Sequence, residues 1–372
     1  MTRSSFTEEL TSASYPGRLP GQIVSGWQSP SNIALIKYWG KRPGQLPISP
    51  SLSMTLENAY TQTILTATLG DSGRSNLIIN NDPAHPFLPK LNIFLNWMIA
   101  EIPVLKNYQF SVSTQNSFPH STGIASSASG LSAFTLCLLS FAAEAISLQI
   151  PQPHLMHQAS FASRMGSGSA CRSLFGGFVV WGKTEEISCA SDLEALPINE
   201  VIHPDLHSFQ DAILVISRKP KILSSSRGHE TMNSHPFVAG RINQAKDHFS
   251  GMLKALKTGD LEQVGWLAEA EALSLHALLM SSPGGAVLLE PGTLEVIQKI
   301  RGARSHGLPV FFTLDAGPNV HLLYPEADRI AVNTFIEAEL TPYCQDGFWI
   351  ADRCGEGPRE IREISLSTTF QV

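Results

Sequence analysis

Four stretches of this chain hold residue types that do chemistry rather than only pack. In Pro119-His120-Ser121-Thr122-Gly123-Ile124-Ala125-Ser126-Ser127-Ala128-Ser129-Gly130, glycines and small hydroxyls run directly into an apolar segment, Leu131 to Leu148. A helix start leaves N–H groups unpaired, so small residues there can close amides and hydroxyls around phosphate oxygens. The candidate contacts are Pro119, Ser121, Gly123, Ala125, Ser126, Ser127 and Ser129. No lysine follows the glycine as in Gly-x-x-x-x-Gly-Lys-Ser/Thr, and no Gly-x-Gly-x-x-Gly opens the loop. The competing explanation is a helix that needs small residues for close packing.

The second stretch, Ser31-Asn32-Ile33-Ala34-Leu35-Ile36-Lys37-Tyr38-Trp39-Gly40-Lys41-Arg42, starts as an apolar strand and ends in a cationic turn. Lys37 interrupts residues that would otherwise be core, and a buried ammonium needs an anionic partner, either a ligand or a carboxylate. A lysine snorkelling from an edge strand is the alternative. The third, Arg164 to Ser173, is a nest of serines and glycines (Gly166-Ser167-Gly168-Ser169) with Arg172 just behind it. A forked guanidinium suits carboxylate or phosphate, though Arg172 could also serve only to tie loops together. The fourth centres on Asp315, followed by Ala316-Gly317-Pro318-Asn319 at the end of an apolar strand. A carboxylate there can act as base or charge anchor, or simply accept turn amides.

The elements that must position these residues follow from periodicity. Residues 1–30 read as an irregular arm with one short strand around Ile23-Val24. Leu52 to Leu56 and Thr61 to Leu69 read as antiparallel strands joined by a turn near Glu57-Asn58, and Asn76 to Asn80 as a further short strand. Pro89 to Ile99 is predicted helical, and Tyr108 to Thr114 alternates as a strand feeding the small-residue loop. Strand, loop and helix thus come in the order a phosphate cradle requires, with the helix dipole favouring negative charge. Gln152 to Ala162 is predicted helical, and 183–205 is the best linker candidate. A strand from Asp211 to Ser217 opens a second domain; a polar turn at Ser224 to Glu230 precedes helices at Phe237 to Leu256, Leu261 to Met280 and Thr293 to Ser305. Val310 to Tyr324 reads as two strands around a tight turn, then a helix over 328–340 and a last polar strand.

Bulk composition narrows the function. The 372 residues suit two unequal domains, and 43% apolar against 16% charged residues describes an ordinary globular protein. A formal charge of -6 gives no basic field for nucleic acid, while a pocket still needs only a few local cations for an anionic small molecule. Five dispersed cysteines fit a reducing compartment, so cytoplasm is expected. Glu144 interrupts the long apolar segment, which argues for a buried soluble helix over a membrane span. His203 and His207 lack the glutamate of a zinc-hydrolase pattern, and the cysteine spacing offers no zinc cluster. Two nests, two cations and one carboxylate together suit phosphoryl chemistry on a small acidic molecule.

Those motifs carry a resemblance. Asn32 to Lys41, Gly123 to Gly130, Gly166 to Arg172 and Asp315 to Asn319, in this order, resemble the diphosphomevalonate decarboxylases of the galactokinase, homoserine kinase, mevalonate kinase and phosphomevalonate kinase superfamily. The resemblance spans about Ser29 to Pro358. It implies an α+β chain of the GHMP kinase fold, with a ribosomal-protein-S5-like half at 1–204 and a ferredoxin-like half at 205–372. It implies ATP-dependent decarboxylation of mevalonate 5-diphosphate to isopentenyl diphosphate, with Mg2+, by a homodimer.

The roles implied by the resemblance are as follows. Asp315 faces the tertiary C3 hydroxyl, Arg172 holds the substrate carboxylate, Lys37 lies near the reacting centre, and Asn32 is a nearby polar contact. Ser127 lies by the transferred phosphate and its magnesium. Tyr38, Lys41, Ser167, Gly168, Ser169, Ser225 and Ser226 line the substrate side. A cation beside Asp315 would pull its pKa down, so orientation and electrostatics should matter as much as base action. The chain departs from the common pattern at Phe118 to Ile124, at Leu46 to Ser51 and at Arg227 to His229. Decarboxylation of mevalonate 5-phosphate, a mevalonate-type kinase and a non-catalytic phosphometabolite binder of the same fold are the alternatives.

Overall fold

In a computed structural model, residues 6–12, 17–70, 77–82, 84–119, 124, 126–219 and 225–365 are described, with backbone only at 225–227 and 233. After a single turn, α1 (Glu8–Thr11), the chain enters β1 (Gln22–Ile36), a ribbon of β2 (Lys41–Arg42) and β3 (Leu46–Pro47), and the 19-residue β4 (Ser51–Leu69). There follow β5 (Leu77–Ile79), α2 (Leu88–Glu101), β6 (Tyr108–Asn116), α3 (Ser126–Ala145), α4 (Gln152–Gly166), β7 (Phe178–Trp181) and β8 (Leu196–Pro197). The second half holds β9 (Gln210–Leu214), α5 (Ser225–Thr231), α6 (Val238–Thr258), α7 (Leu261–Ser281), α8 (Pro291–Ser305), β10 (Phe311–Thr313), β11 (Val320–Tyr324), α9 (Arg329–Phe335), β12 (Trp349–Arg353) and β13 (Arg359–Glu360).

Two sheets organise these elements. The first has seven strands in the order β13-β1-β4-β6-β5, with β7 and β8 extending from β4, and the second runs β10-β11-β9-β12. All pairs are antiparallel except β5 with β6. The last strand returns to the first sheet, pairing Trp27 with Glu360. The core of the first half wraps α3, which is mostly buried although its length and hydropathy would suit a membrane span. It is hydrophobic all round because protein surrounds it.

Three expectations are corrected. The N-terminal segment is not an irregular arm to residue 30, because β1 begins at Gln22 and runs fifteen residues. Alternation is broken there by buried Ser29 and Ser31, whose hydroxyls are satisfied by Ser132 and by the Ile124 carbonyl. The turn at Glu57-Asn58 is instead a bulge in one continuous strand, since β1 pairs Pro30 with Tyr60 and then Asn32 with Thr55. The residues between bow out to meet Asp352 of β12, whose Oδ1 accepts the N–H groups of Glu57 and Asn58 and whose Oδ2 accepts that of Ala59. Finally, the polar stretch from Ser225 is helix α5 rather than a turn.

The two halves share a core. Ile33, Leu52 and Met54 of the first sheet pack with Ile213, Phe249, Leu253, Phe311 and Ile350 of the second half. Asp352 seals one edge of that seam. Asp352→Asn places an amide donor against one of the strand's N–H donors, so stability is expected to fall by about 1–3 kcal/mol. A lower urea midpoint measures this; an unchanged midpoint would mean the bulge holds itself.

Candidate active site

The site assembles where β1 runs out. Lys37 follows the last paired residue of β1, and its side chain is 2% exposed. Nζ donates to the Ala34 carbonyl at 2.6 Å and to Asp315 Oδ1 at 3.2 Å. Burial pushes the Lys37 pKa below its usual value, and the nearby carboxylates of Asp315 and Glu271 oppose that shift. Asp315 lies just beyond β10 on a loop that the second half pins from three sides. His276 Nε2 meets the Asp315 carbonyl at 3.0 Å, Thr293 donates to Pro318 O at 2.7 Å, and Asn319 clasps Ser217. The Asp315 side chain remains 27% exposed, so the ion pair is closed on the lysine side and open on the carboxylate side.

Arg172 sits in a short 3-10 turn at Gly168–Leu174 and is buried. Its Nε donates to Ser53 Oγ at 3.1 Å and more weakly toward Asn32 Oδ1 at 3.4 Å, its Nη1 donates to Ser51 Oγ at 2.9 Å, and the guanidinium lies 5.9 Å from the Trp181 ring. Among the described residues Nη2 has no hydrogen-bond partner. Burial lowers the Arg172 pKa, and the field of Asp315 offsets part of that, so the two charges lie within range of one another. Asn32 is fixed in turn by Ser173 Oγ at 2.8 Å, and Ser173 O by Ser29, which touches Ser132 of α3. A ladder of buried polar groups therefore joins the helix behind the small-residue loop to the guanidinium.

Beyond Lys37 the chain forms an aromatic wall. Tyr38 stands 4.6 Å from Trp181 and 4.3 Å from His229, and Trp39 stands 5.1 Å from His229. Among the described residues the Tyr38 hydroxyl and Trp39 Nε1 are buried without a partner, which is costly unless another group or a bound molecule supplies one. Burial raises the Tyr38 pKa above its usual value, so the phenol stays a donor. Gly40 N–H donates to His229 Nδ1 at 3.1 Å, which leaves the proton on Nε2 of a neutral ring. Gly168 must be glycine here, since a Cβ would lie 2.8 Å from both the Tyr38 hydroxyl and Trp181. Ser167 and Ser169 flank it half-buried, and Ser169 O takes Asn32 Nδ2 at 3.5 Å. Lys41 is partly exposed and donates to Gln45 at 3.0 Å.

The phosphate loop is described only in part. Ser121, Gly123 and Ala125 lie outside the described residues, as do the side chains of Ser225 and Ser226. Ser126 and Ser127 begin α3 and line a cavity of about 430 Å³ with Thr61, Asn80, Phe87, Lys90, Val112 and Phe134. An apolar floor beside a helix N-terminus, with hydroxyls and a lysine at its edge, fits a nucleotide base and its phosphates. Pro119 is half-buried at the loop entry and is not among the lining residues. Ser129 departs from the expectation: its side chain is fully buried and shares a hydrogen bond with Thr61 Oγ1 at 2.7 Å, bracing α3 instead of facing the cavity. Among the described residues no cluster of three or more His, Cys, Asp or Glu could hold a metal.

Sequence reasoning gave no role to His229, Glu271 or His276 and did not single out Arg241. The available signal was polarity inside a helix that is otherwise apolar: Glu269, Glu271 and His276 are all buried in α7.

Solved structures share this architecture. A mevalonate diphosphate decarboxylase from Staphylococcus aureus superposes with a TM-score of 0.77 at 25% identity, covering 92% of this chain and 98% of that one. The mevalonate diphosphate decarboxylase from Enterococcus faecalis gives 0.75 at 29% identity, covering 92% and 100%. A structure of MDDEF in complex with MVAPP, AMPPCP and magnesium gives the same values. Fold and site thus define an α+β, ATP-using enzyme of the GHMP kinase fold that acts on a small anionic molecule. Residues 29–192 match the diphosphomevalonate decarboxylase-like N-terminal domain and residues 212–356 the mevalonate 5-diphosphate decarboxylase C-terminal domain. The diphosphomevalonate decarboxylase of Candida albicans is 30% identical over 90% of this chain and 97% of its own, and that of Gibberella zeae 31% over 83% of each. The chain belongs to the diphosphomevalonate decarboxylase family.

Two measurements check this geometry. Gly168→Ala should displace Tyr38 and raise KM for the anionic substrate, at a cost of about 1–3 kcal/mol; an unchanged KM would put Tyr38 out of reach of the substrate. Burial is the main cause holding His276 down to about 4 and His229 to about 3, from the ordinary 6.5. The unfolded chain therefore binds more protons below pH 6.5, and stability is expected to fall as pH drops through that window toward 4. Urea midpoints against pH test this, with His276→Gln expected to show a flatter acid limb.

Proposed function

We propose that this cleft carries out ATP-dependent decarboxylation of mevalonate 5-diphosphate, with the C3 hydroxyl against Asp315 and the C1 carboxylate on Arg172. The observation that carries the reading is the Lys37–Asp315 pair, open only on its Asp315 side, within the field of an arginine with a donor to spare. Simple binding of a phosphometabolite would not need those three charges around one carbon. ATP with magnesium supplies the phosphoryl group that turns the tertiary oxygen into a leaving group.

The chain's own residues do the rest. Asp315 accepts a hydrogen bond from the C3 hydroxyl, orients it and takes up its proton as the oxygen becomes nucleophilic. Lys37, 3.2 Å from the carboxylate, stabilises negative charge at that oxygen and holds Asp315 in place. Arg172 aligns the carboxylate so that its C–C bond can supply electrons to C3 as the leaving group departs. Tyr38, Trp39 and His229 wall off water, and Ser127 at the start of α3 is the proposed hydroxyl toward the phosphates and magnesium. Lys41, Ser167, Ser169, Ser225 and Ser226 are proposed contacts to the substrate diphosphate. The same reading divides the chain at 204/205 into S5-like and ferredoxin-like halves, with β13 returning to the first, and makes the protein a cytoplasmic homodimer.

Purified protein with ATP, magnesium and either mevalonate 5-phosphate or mevalonate 5-diphosphate tests the substrate, with phosphate release and alkene followed together. Alkene from the diphosphate is expected; alkene from the monophosphate alone would move the assignment, and ADP without alkene would make the protein a kinase. Asp315→Asn should lose ~10²–10⁴-fold in kcat. Near-normal turnover in that variant would remove Asp315 from the chemistry.

A further inference from the structure

Lys37 lies beyond the reach of the sheet that carries it. Ile36 is the last paired residue of β1, and the next peptide must find its partners elsewhere. Both come from the second half. The Lys37 N–H donates to Glu271 Oε2 at 2.8 Å, and the Lys37 carbonyl takes a long hydrogen bond from Arg241 Nη2 at 3.4 Å. Glu271 on α7 and Arg241 on α6 are themselves a bidentate pair, with both contacts at 2.6 Å, and His248 Nδ1 meets Glu271 Oε1 at 2.7 Å. Glu271 is fully buried and Arg241 nearly so.

A buried ion pair is an expensive way to fill space, because hydrophobic residues of similar volume are often as stabilising. The expense is understandable if the pair does something packing cannot, namely hold the backbone N–H and carbonyl of one residue at once. We infer that Glu271, braced by Arg241 and His248, is a positioning residue for the reaction: it fixes the Lys37 peptide beyond β1 and thereby aims the ammonium at Asp315. The inference rests on the assignment of Lys37 and Asp315 to the reacting centre.

Glu271 also acts through its charge. The groups that face the Lys37 ammonium are Asp315 from the loop after β10, Glu271 from α7 and Arg172 from the 3-10 turn. Burial pulls the Lys37 proton off at lower pH than usual, Asp315 and Glu271 hold it on, and Arg172 opposes them. Arg241, His248 and the Lys37 N–H in turn face Glu271; burial alone would raise its pKa, but these hydrogen bonds hold it below the usual carboxylate range. His276, also on α7, is neutral at pH 7, with its pKa lowered to about 4 first by burial and further by Lys37.

Glu271→Gln keeps size and an acceptor but removes the charge; Glu271→Asp keeps the charge and shortens the reach. Steady-state kinetics with ATP and mevalonate 5-diphosphate across pH, with thermal melts, compare the two. Misaiming Lys37 should cost ~10–100-fold in kcat in both variants with little change in KM for ATP. The alkaline limb of kcat should move to lower pH in the Gln variant and stay in place in the Asp variant. Activity within twofold of the unsubstituted enzyme in either variant overturns the inference, and so does equal loss in both with the alkaline limb unmoved, which is what a packing defect would give. If the Gln variant does not fold, the Asp variant decides alone: a fall in kcat with normal melting supports the inference, and unchanged kcat overturns it. Lys37→Met and Asp315→Asn run alongside separate the two levels, since full turnover in those would fail the site assignment and not only the part played by Glu271.

Discussion

A lysine ammonium held almost out of water is the constraint on which the rest of this molecule depends. Lys37 cannot stay charged at 2% exposure without compensation, and that compensation is divided between the two halves of the chain. The first half supplies the strand and the Ala34 carbonyl, and the second supplies Asp315 and Glu271. Neither half holds a complete set of partners. The proposed chemistry therefore belongs at the seam, where both are present at once.

The seam is built to be stiff. A shared apolar core joins the sheets, Asp352 binds the bulge in β4, and the return of β13 to β1 ties the end of the chain to its beginning. Stiffness matters because the proposed reaction asks one carbon to lose a phosphorylated oxygen while its neighbour loses a carboxylate. The donors aimed at the two leaving groups therefore have to be in place beforehand. Arg172 illustrates this. Two serines of β4, Asn32 of β1 and the Trp181 ring hold its fork, and Asn32 is anchored through Ser173 and Ser29 to the helix that begins at Ser126.

Much of the candidate site was legible because its residues violate local expectations in plain view. A lysine inside an apolar run, an arginine behind a nest of serines and an aspartate at the end of a strand each advertise a need for a partner. Helices α2, α6, α7 and α8 were readable from helical patterning and their flanking glycines and prolines, and α3 from its apolar length behind a hydroxyl-rich entry. The long strands were read less well. Continuous β4 looked like two strands, since Glu57-Asn58 has turn chemistry, and only a carboxylate nearly three hundred residues later converts that turn into a bulge.

By itself, then, the sequence determined which groups are charged, which of the long segments are helical, and the order of loop, cation and carboxylate motifs that marks the family. The resemblance implied a cation beside Asp315, and the fold closes that pair with Lys37 across 278 positions of sequence; tertiary structure alone decided that Glu271 and Arg241 grip the Lys37 backbone and that Ser129 turns inward to Thr61. The reason is physical. Propensity and periodicity act over a few residues, whereas the partner of a buried charge is chosen by which distant surface excludes water from it, and that is known only once the sheets have packed.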